Sequence, residues 1–579
     1  MSIFHSFIRD HKINIALFLG ALAIGVACAA PFFFSRYEPS TSGQSPWHII
    51  NTHDMGTHYN VMQQFDKTLR SGAIYPRWLA DTNYGYGVAT MVYYPPNIFY
   101  LCSLIHLFVR DWTVTLFVFA ALGLALSGFA LYWLARLFFG RPASIAAAFI
   151  YMLLPYHQID LYWRGALPEF LGFVFIPLIL RFTYLLGSYG RPRHYAVLGL
   201  LYGLYVMTHL PVSYIFTYAL ALYVGLWALF AKDWKILLRV GFGMMIGIGI
   251  SAIYWLPAAL ESKAAYEWVS VVFEYHKSYL APFSDEGDVF THLIRKIYVY
   301  QFALLIVSIV VYFLAKPRGS TNPESQNDTA QLVTQRQTWL WIILSLVTML
   351  MVTSVSSPVS KLIPRIEVAV PPFRWLVIAS AFLALVMAAA LDRLFKGNAT
   401  SQILIWSYRT VMVAILVLNL WLAFAGVMKS ALSNPTYYPP PDFLDAGWIP
   451  AGAAQAEQMP KTDQAVIAYG GSPEVIRWDP EYREIKTTTT MPAFLRLKTY
   501  NFPGWTAFVD GQATPIVSDL SGAQIIQIPT GEHKVIVKFK NTPPRNFGTA
   551  ISLLSFLGVC GLFAYDRKFK ILLRKQTET

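Results

Sequence analysis

Apolar residues in this chain gather in long runs that polar residues interrupt only at intervals. The first run extends from about Ile13 to Phe34. Others follow at roughly 95–109, 113–135, 142–157, 166–187, 194–209, 212–231, 236–258, 297–315, 338–354, 374–391, 403–428 and 547–565. A helix needs about 20 apolar residues to cross a hydrocarbon core of about 30 Å, so the runs predict a polytopic helical membrane protein. The run at 95–109 is the exception. It is short, opens with Pro95-Pro96 and carries Tyr100, Cys102, Ser103 and His106. Laid along the interface instead of across the bilayer, it brings the basic residues into register. Arg9, Lys12, Arg136, Arg141, Arg191, Arg193, Lys232, Lys235, Arg239, Lys316, Arg318, Arg336, Arg393, Lys396 and the tail DRKFKILLRK then share one side. Lys and Arg concentrate in cytoplasmic loops, so the expectation is about twelve spans with both N- and C-termini cytoplasmic.

Near the C-terminus the period changes from helical to alternating. AFLRLKTYN, WTAFVDG, AQIIQIPTG and HKVIVKFKN place apolar and polar residues in turn, separated by Pro503-Gly504, Asp510-Gly511 and Thr530-Gly531. Short strands with close turns predict a small β-sandwich on the outer face, with TYYPPPDFLDAGWIPAG as the linker into it. The chain therefore divides into a transmembrane module at 1–428, whose first outer loop is 35–112, a β-rich extracytoplasmic domain at 429–546, and a final transmembrane helix with a basic cytoplasmic tail at 547–579.

Composition agrees. Only 13% of residues are charged, and mean hydropathy is +0.45, where a soluble domain carries about a quarter charged residues. The net charge of +13 sits largely in short loops and tails beside spans, where it sets orientation, and does not point to nucleic acid. Cys28, Cys102 and Cys560 all lie in apolar runs and form no disulfide or metal pattern. The first run exceeds the roughly 7–15 residues of a cleaved signal core, and is expected to be retained as a signal anchor.

Candidate chemistry is concentrated in NTHDMGTHYNVMQQFDKTLRSGAIYPRW, residues 51–78. Met55, Tyr59, Met62, Phe65 and Leu69 fall near one helical face, which predicts an amphipathic helix on the outer surface with Asp54 at its N-terminus. Asp is a preferred N-cap, so a capping role and a functional role both stand at this point. His53 and His58 flank it. The following loop crowds Tyr75, Trp78, Tyr84, Tyr86, Tyr93, Tyr94 and Tyr100 around glycines and prolines. These suit either an interfacial aromatic belt or a platform for sugar rings, and the belt is the better reading of any one of them. A second outer loop, YHQIDLYWRGALPEF, supplies Asp160, Arg164 and Glu169. His209 and Arg374 stand at outer ends of spans as weaker candidates.

HDMGTHYNVMQQFDKTLRSGAIYPRW, GYG, YYPP and LYWRGALPEF resemble bacterial membrane proteins described as related to 6-pyruvoyl-tetrahydropterin synthase, although no pterin-synthase metal site is visible. FPGWTAFVDGQATPIV and IPTGEHKVIVKFKNTPPRNFG resemble the C-terminal portion of YfhO-type proteins. The arrangement as a whole is similar to the GT-C class of membrane glycosyltransferases. That resemblance implies a polytopic α-helical, GT-C-like protein with a C-terminal extracytoplasmic β-sandwich domain, in a bacterial inner membrane. It implies an inverting transfer of sugar from a polyprenyl-phosphate donor to a glycan or lipid acceptor. Asp54 then matches the acidic residue of the class's first outer loop and takes the role of base. His53, His58, Arg77, Arg164, Glu169, Tyr93 and Tyr94 become substrate-binding candidates, with Arg164 and Arg77 for the phosphate. Membrane lipid is an expected partner, and a divalent metal ion is left open, since the class includes enzymes with and without one. Two other classes remain: a transporter or flippase of lipid-linked glycan, and a non-catalytic assembly protein. Few charges lie within the spans, and the acidic residues cluster at outer helix ends, which favours the enzyme over the transporter.

Overall fold

The computed structural model describes residues 2–34, 48–50, 52–265, 275, 278–282, 287–315, 326–396, 406, 410, 413, 417, 435–437, 448–454, 458–459 and 462–578. Among these, seven helices are long and apolar enough to cross a membrane: Lys12–Phe32, Trp112–Ala135, Leu167–Tyr189, Leu210–Ala231, Val289–Leu314, Pro372–Lys396 and Pro543–Arg567. The pair Lys235–Ile250 and Ala252–Leu260, bent by 71°, makes an eighth if counted as one span. The runs at 142–157 and 194–209 form shorter helices, Arg141–Leu153 and Pro192–Val206. The run at 338–354 lies largely within the helix Gln326–Leu350. Most of the run at 403–428 lies outside the described residues.

Helix Pro372–Lys396 is enclosed by its neighbours along its whole apolar length. A helix that is apolar on every face belongs in such a position, and it carries Arg374 at its N-terminal end into the bundle. Helix Asn97–Val109 has 13 residues, about 20 Å at 1.5 Å each, too short to span. It buries Ile98, Phe99 and Cys102 and exposes Leu101, Leu104, Leu107 and Phe108, the two-sided pattern of an element lying along a surface.

The β region begins with a small antiparallel pair, β1 (His48–Ile50) with β2 (Pro435–Tyr437). Two antiparallel sheets follow. The first has order β3 (Ala465–Ile467), β6 (Ala493–Tyr500), β10 (Ala523–Ile528), β9 (Ile516–Ser518). The second has order β4 (Gly471–Asp479), β5 (Tyr482–Thr489), β11 (Gly531–Phe539), β7 (Trp505–Val509), β8 (Gln512–Thr514). Alternate residues Leu495, Leu497, Ile526 and Ile528 of the first sheet share one core with Ile485, Val509, Val535 and Val537 of the second. Two-residue periodicity puts these side chains on one face of each strand. The final helix begins at Pro543, four residues before the boundary expected from hydropathy.

That core extends into the first outer loop. Trp78 is fully buried against Trp505, Phe502 and Phe539, with ring centroids 5.3, 6.3 and 5.5 Å away. Tyr86 lies 5.5 Å from Tyr500, whose backbone N–H donates to the Tyr86 carbonyl at 2.8 Å. Tyr93 stacks on Trp448 at 4.9 Å and donates its hydroxyl to the Glu261 carbonyl at 2.7 Å. Neither an aromatic belt nor a sugar platform describes these three rings, because apolar surface from two parts of the chain closes over them. Gly87 shows how tight the joint is: its φ is +73°, and a Cβ there would meet Trp78 Nε1 at 2.4 Å. Beneath the rings, Arg545 at the start of the last helix binds Glu261, through Nη2 at 2.7 Å and Nε at 3.1 Å.

Candidate functional site

The amphipathic helix is Met55–Arg70 and starts where the sequence expects. Asp54 occupies its N-cap position, yet its side chain makes no capping bond. Thr52 does that work, its Oγ1 accepting the Met55 N–H at 3.1 Å. The Asp54 carboxylate is therefore released from the commonest structural duty of an Asp at this position. It is half-buried, and no side-chain hydrogen bond is made from it among the described residues.

Backbone bonds join this helix start to the second outer loop. His53 N–H donates to the Trp163 carbonyl at 3.1 Å and Asp54 N–H to the Arg164 carbonyl at 2.7 Å. Gly165 makes the approach feasible. Its φ is +62°, and a Cβ would lie 2.1 Å from Thr52 Oγ1 and 2.8 Å from the Met55 nitrogen. His58 completes the connection. Its Nδ1 lies 2.8 Å from the Gly165 carbonyl and its Nε2 2.7 Å from the Tyr94 hydroxyl. A carbonyl can only accept, so the proton sits on Nδ1 and Nε2 accepts from Tyr94. Burial holds His58 below its ordinary pKa, against the pull of Asp54, which matches a neutral imidazole. Burial likewise raises the Tyr94 phenol, assisted by the negative charge of Asp54, so the phenol remains a donor.

Beside this joint lies a buried charge cluster. The short helix Pro155–Ile159 continues into a wider π turn, Asp160–Arg164. Arg164 Nη1 is 2.7 Å from both Asp160 Oδ1 and Glu169 Oε1. Tyr156 donates its hydroxyl to Glu169 Oε1 at 3.1 Å. Arg374 Nε approaches Glu169 Oε2 to 3.2 Å as an ion pair without hydrogen-bond alignment, and His209 Nε2 stands 4.0 Å from the same oxygen. Asp160 and Glu169 are fully buried and Arg164 nearly so. Two carboxylates balance two guanidinium groups, but hydrogen-bonding capacity is left over: Asp160 Oδ2, Glu169 Oε2 and Arg374 Nε have no hydrogen-bond partner among the described residues. Asp54 is close enough for its charge to act on His58, Tyr94, Asp160 and Arg164.

The sequence candidates therefore separate. Asp54, His58, Tyr94, Arg164 and Glu169 gather at one place. His53 is exposed at its edge, with its ring 4.7 Å from that of Phe290. Tyr93 and Arg77 lie elsewhere. Tyr93, next to Tyr94 in sequence, turns into the β-domain joint. Arg77 is buried there too, over the Tyr75 ring at 4.0 Å and donating to Asn541 Oδ1 at 3.1 Å. Its expected place beside a substrate phosphate at Asp54 is not where it sits. Arg374 and His209, weak candidates in sequence, join the cluster. The only sequence signal for them was their position at outer ends of spans. Among the described residues, no three His, Cys, Asp or Glu side chains are grouped so as to hold a metal ion.

A family model described as 6-pyruvoyl-tetrahydropterin synthase related domain, membrane protein, matches residues 91–427. That stretch includes Arg164, Glu169, His209 and Arg374 but neither Asp54 nor the β domain. No curated protein matches the chain. Several solved structures show remote similarity, three of them as follows. The oligosaccharyltransferase of Archaeoglobus fulgidus in the apo form is 14% identical, with TM-score 0.41, over 72% of this chain and 56% of that one. The arabinofuranosyltransferase AftD from Mycobacteria is 16% identical, with TM-score 0.44, over 71% of this chain and 27% of that one. ArnT from Cupriavidus metallidurans, bound to undecaprenyl phosphate, is 14% identical, with TM-score 0.40, over 72% of this chain and 73% of that one. This chain thus spans little more than half of the first protein and about a quarter of the second.

Proposed function

The chain belongs to the membrane-protein family described as 6-pyruvoyl-tetrahydropterin synthase related domain, and for this member of it we propose an inverting glycosyl transfer. The donor is a sugar on a polyprenyl phosphate and the acceptor an extracytoplasmic glycan or lipid. The supporting observation is the Asp54 carboxylate: at a helix start, relieved of capping by Thr52, half-buried, and on a residue whose backbone N–H bonds the carbonyl of Arg164, the arginine that pairs with Asp160 and Glu169.

In the proposed step the acceptor oxygen attacks the anomeric carbon while Asp54 takes its proton. The bond from that carbon to the phosphate oxygen breaks, and its electron pair leaves with the phosphate. One displacement inverts the centre. A positioned base of this kind contributes about 10²- to 10⁴-fold in rate. The departing phosphate needs cations. Arg374 is the more available, with 17% of its side chain exposed, whereas Arg164 is bound by two carboxylates and fixes Glu169. His58 and Tyr94 are positioning residues that hold the Asp54 turn against Gly165. No step is routed through a divalent metal ion, since the described side chains form no three-donor group.

The fold proposal that accompanies this chemistry has about twelve spans, cytoplasmic termini in a bacterial inner membrane, and a β-sandwich on the acceptor side. The test is the lipid-linked glycan profile of cells lacking the protein, complemented with wild type or with Asp54→Asn at equal expression. Wild type is expected to restore a missing sugar and Asp54→Asn to fail. Equal restoration would remove Asp54 as base and put transport or assembly first.

A further inference from the structure

The segment between helices Gln326–Leu350 and Pro372–Lys396 turns three of its larger apolar side chains outward. From Ser354 to Leu362 it buries Ser356 and Ser360 and exposes Val355, Val359 and Leu362 at 70%, 55% and 81%. The buried serines are satisfied. Ser356 Oγ donates to the Thr353 carbonyl at 2.9 Å and Ser360 Oγ to the Ser357 carbonyl at 3.1 Å. An arrangement that pairs its hydroxyl groups inward and turns its largest apolar side chains outward is unfavourable against water. It suits an apolar surrounding. Lys361 and Arg365 are exposed beside these residues, where long cationic side chains can reach phosphate groups while their stems stay in an apolar layer.

The depth of the segment is fixed by its contacts. The Tyr214 hydroxyl, near the start of the span Leu210–Ala231, bonds the Pro364 carbonyl. The Tyr279 hydroxyl bonds Ser360 Oγ. Leu280 N–H donates to the Val352 carbonyl at 3.0 Å. The segment thus lies level with the first turns of a span, where tyrosines favour the boundary between headgroups and acyl chains. Twelve positions after Leu362 the chain reaches Arg374.

We propose that Ser354–Leu362 is an interfacial anchor that inserts Val355, Val359 and Leu362 into the lipid leaflet on the β-domain side, with Lys361 and Arg365 at its phosphate headgroups. Its occupant is bilayer lipid. The anchor holds the outer end of the enclosed helix Pro372–Lys396, and with it Arg374, at headgroup depth. This placement does not depend on the transferase reading.

The experiment uses the full chain in lipid nanodiscs, in a background of Cys28→Ala, Cys102→Ala and Cys560→Ser. Val355→Cys, Val359→Cys and Leu362→Cys are spin-labelled singly, with Leu520→Cys on the fully exposed β-domain surface as the aqueous reference. Oxygen, which partitions into lipid, is expected to relax the three segment labels severalfold more effectively, relative to a water-soluble nickel chelate, than it relaxes the reference label. A ratio equal to that at Leu520 overturns the proposal. Protection from both reagents also overturns it, and would assign the face to a second copy or to another part of this chain. Independently, the unsubstituted protein in nanodiscs holding a carbene-generating phospholipid is expected to carry adducts within 354–362. Their absence, with adducts present on the spans, has the same overturning force.

Discussion

Two buried arginine–carboxylate centres hold this protein together, and they are finished differently. At the β-domain joint, Arg545 gives Nε and Nη2 to Glu261, Nη2 again to the Pro503 carbonyl at 2.8 Å, and Nη1 to the Lys540 carbonyl at 3.3 Å. The Thr542 hydroxyl closes the remaining Glu261 oxygen. Every charged atom of the Arg545–Glu261 pair has a partner. At the Arg164 centre, one oxygen each of Asp160 and Glu169 has no hydrogen bond among the described residues although both residues are fully buried. Buried polar groups are nearly always paired. The Arg545–Glu261 pair is therefore closed to any further partner, and on the proposed function the Arg164 centre, next to the half-buried Asp54, is where a ligand's own polar groups would be taken up.

The comparison is broken most severely by removing one partner of the saturated pair. Arg545→Ala strands the Glu261 carboxylate and is expected to cost about 3–5 kcal/mol, seen as a large fall in Tm and as protease cleavage between the β domain and the spans. Replacing both partners by apolar residues of similar size should recover most of that loss. Asp54→Asn tests the other centre: glycosyl transfer is expected to fall at least about 100-fold, while Tm moves by less than about 0.5 kcal/mol equivalent, because Asp54 caps nothing. Gly165→Ala should lower both together. Its left-handed backbone costs an L-residue about 1–2 kcal/mol before any clash with Thr52 and Met55, and the Asp54 turn would be pushed off the Arg164 loop. Thr52→Ala, which removes the actual cap, should cost about 1 kcal/mol in Tm measurements.

The smallest effect is a pH dependence. Burial lowers the His58 pKa in the folded protein, whereas an unfolded chain takes up that proton near pH 6.5. Below that value the unfolded state binds more protons. The contribution of His58 to stability is therefore complete above about pH 6.5 and is lost as pH falls through it, by at most about 1.4 kcal/mol per pH unit. Tm measured from pH 7.5 down to 5.5 should fall more steeply for wild type than for His58→Asn. Equal slopes would mean that His58 takes up no proton on unfolding in this range.

The amphipathic helix and the β strands were legible because each is set by local periodicity. Met55, Met62 and Phe65 share a face at helical spacing, and Leu495, Leu497, Val535 and Val537 alternate. Asp54 was legible as a helix start; that its side chain makes no capping bond was not, since Thr52 and Asp54 are both capping residues two positions apart. Arg164 and Glu169 could be suspected of meeting, but Arg374 and His209 come from helices far along the chain, and no spacing rule relates them. Tyr93 and Tyr94 make the same point at a single step: the sequence offers two adjacent tyrosines, and only packing sends one to Trp448 and the other to His58.

By itself, then, the sequence determined that the chain lives in a membrane, where its apolar runs lie, and that a β-rich domain and a polar stretch accompany them, because hydropathy and short-range periodicity are properties of neighbours along the chain. The tertiary structure alone decided which charges are balanced and which retain capacity, that the aromatic loop is a joint to the β domain, and that Arg374 meets Glu169. Those outcomes depend on burial and on distances between residues hundreds of positions apart, where desolvation makes each pairing decisive and the linear order carries no record of it.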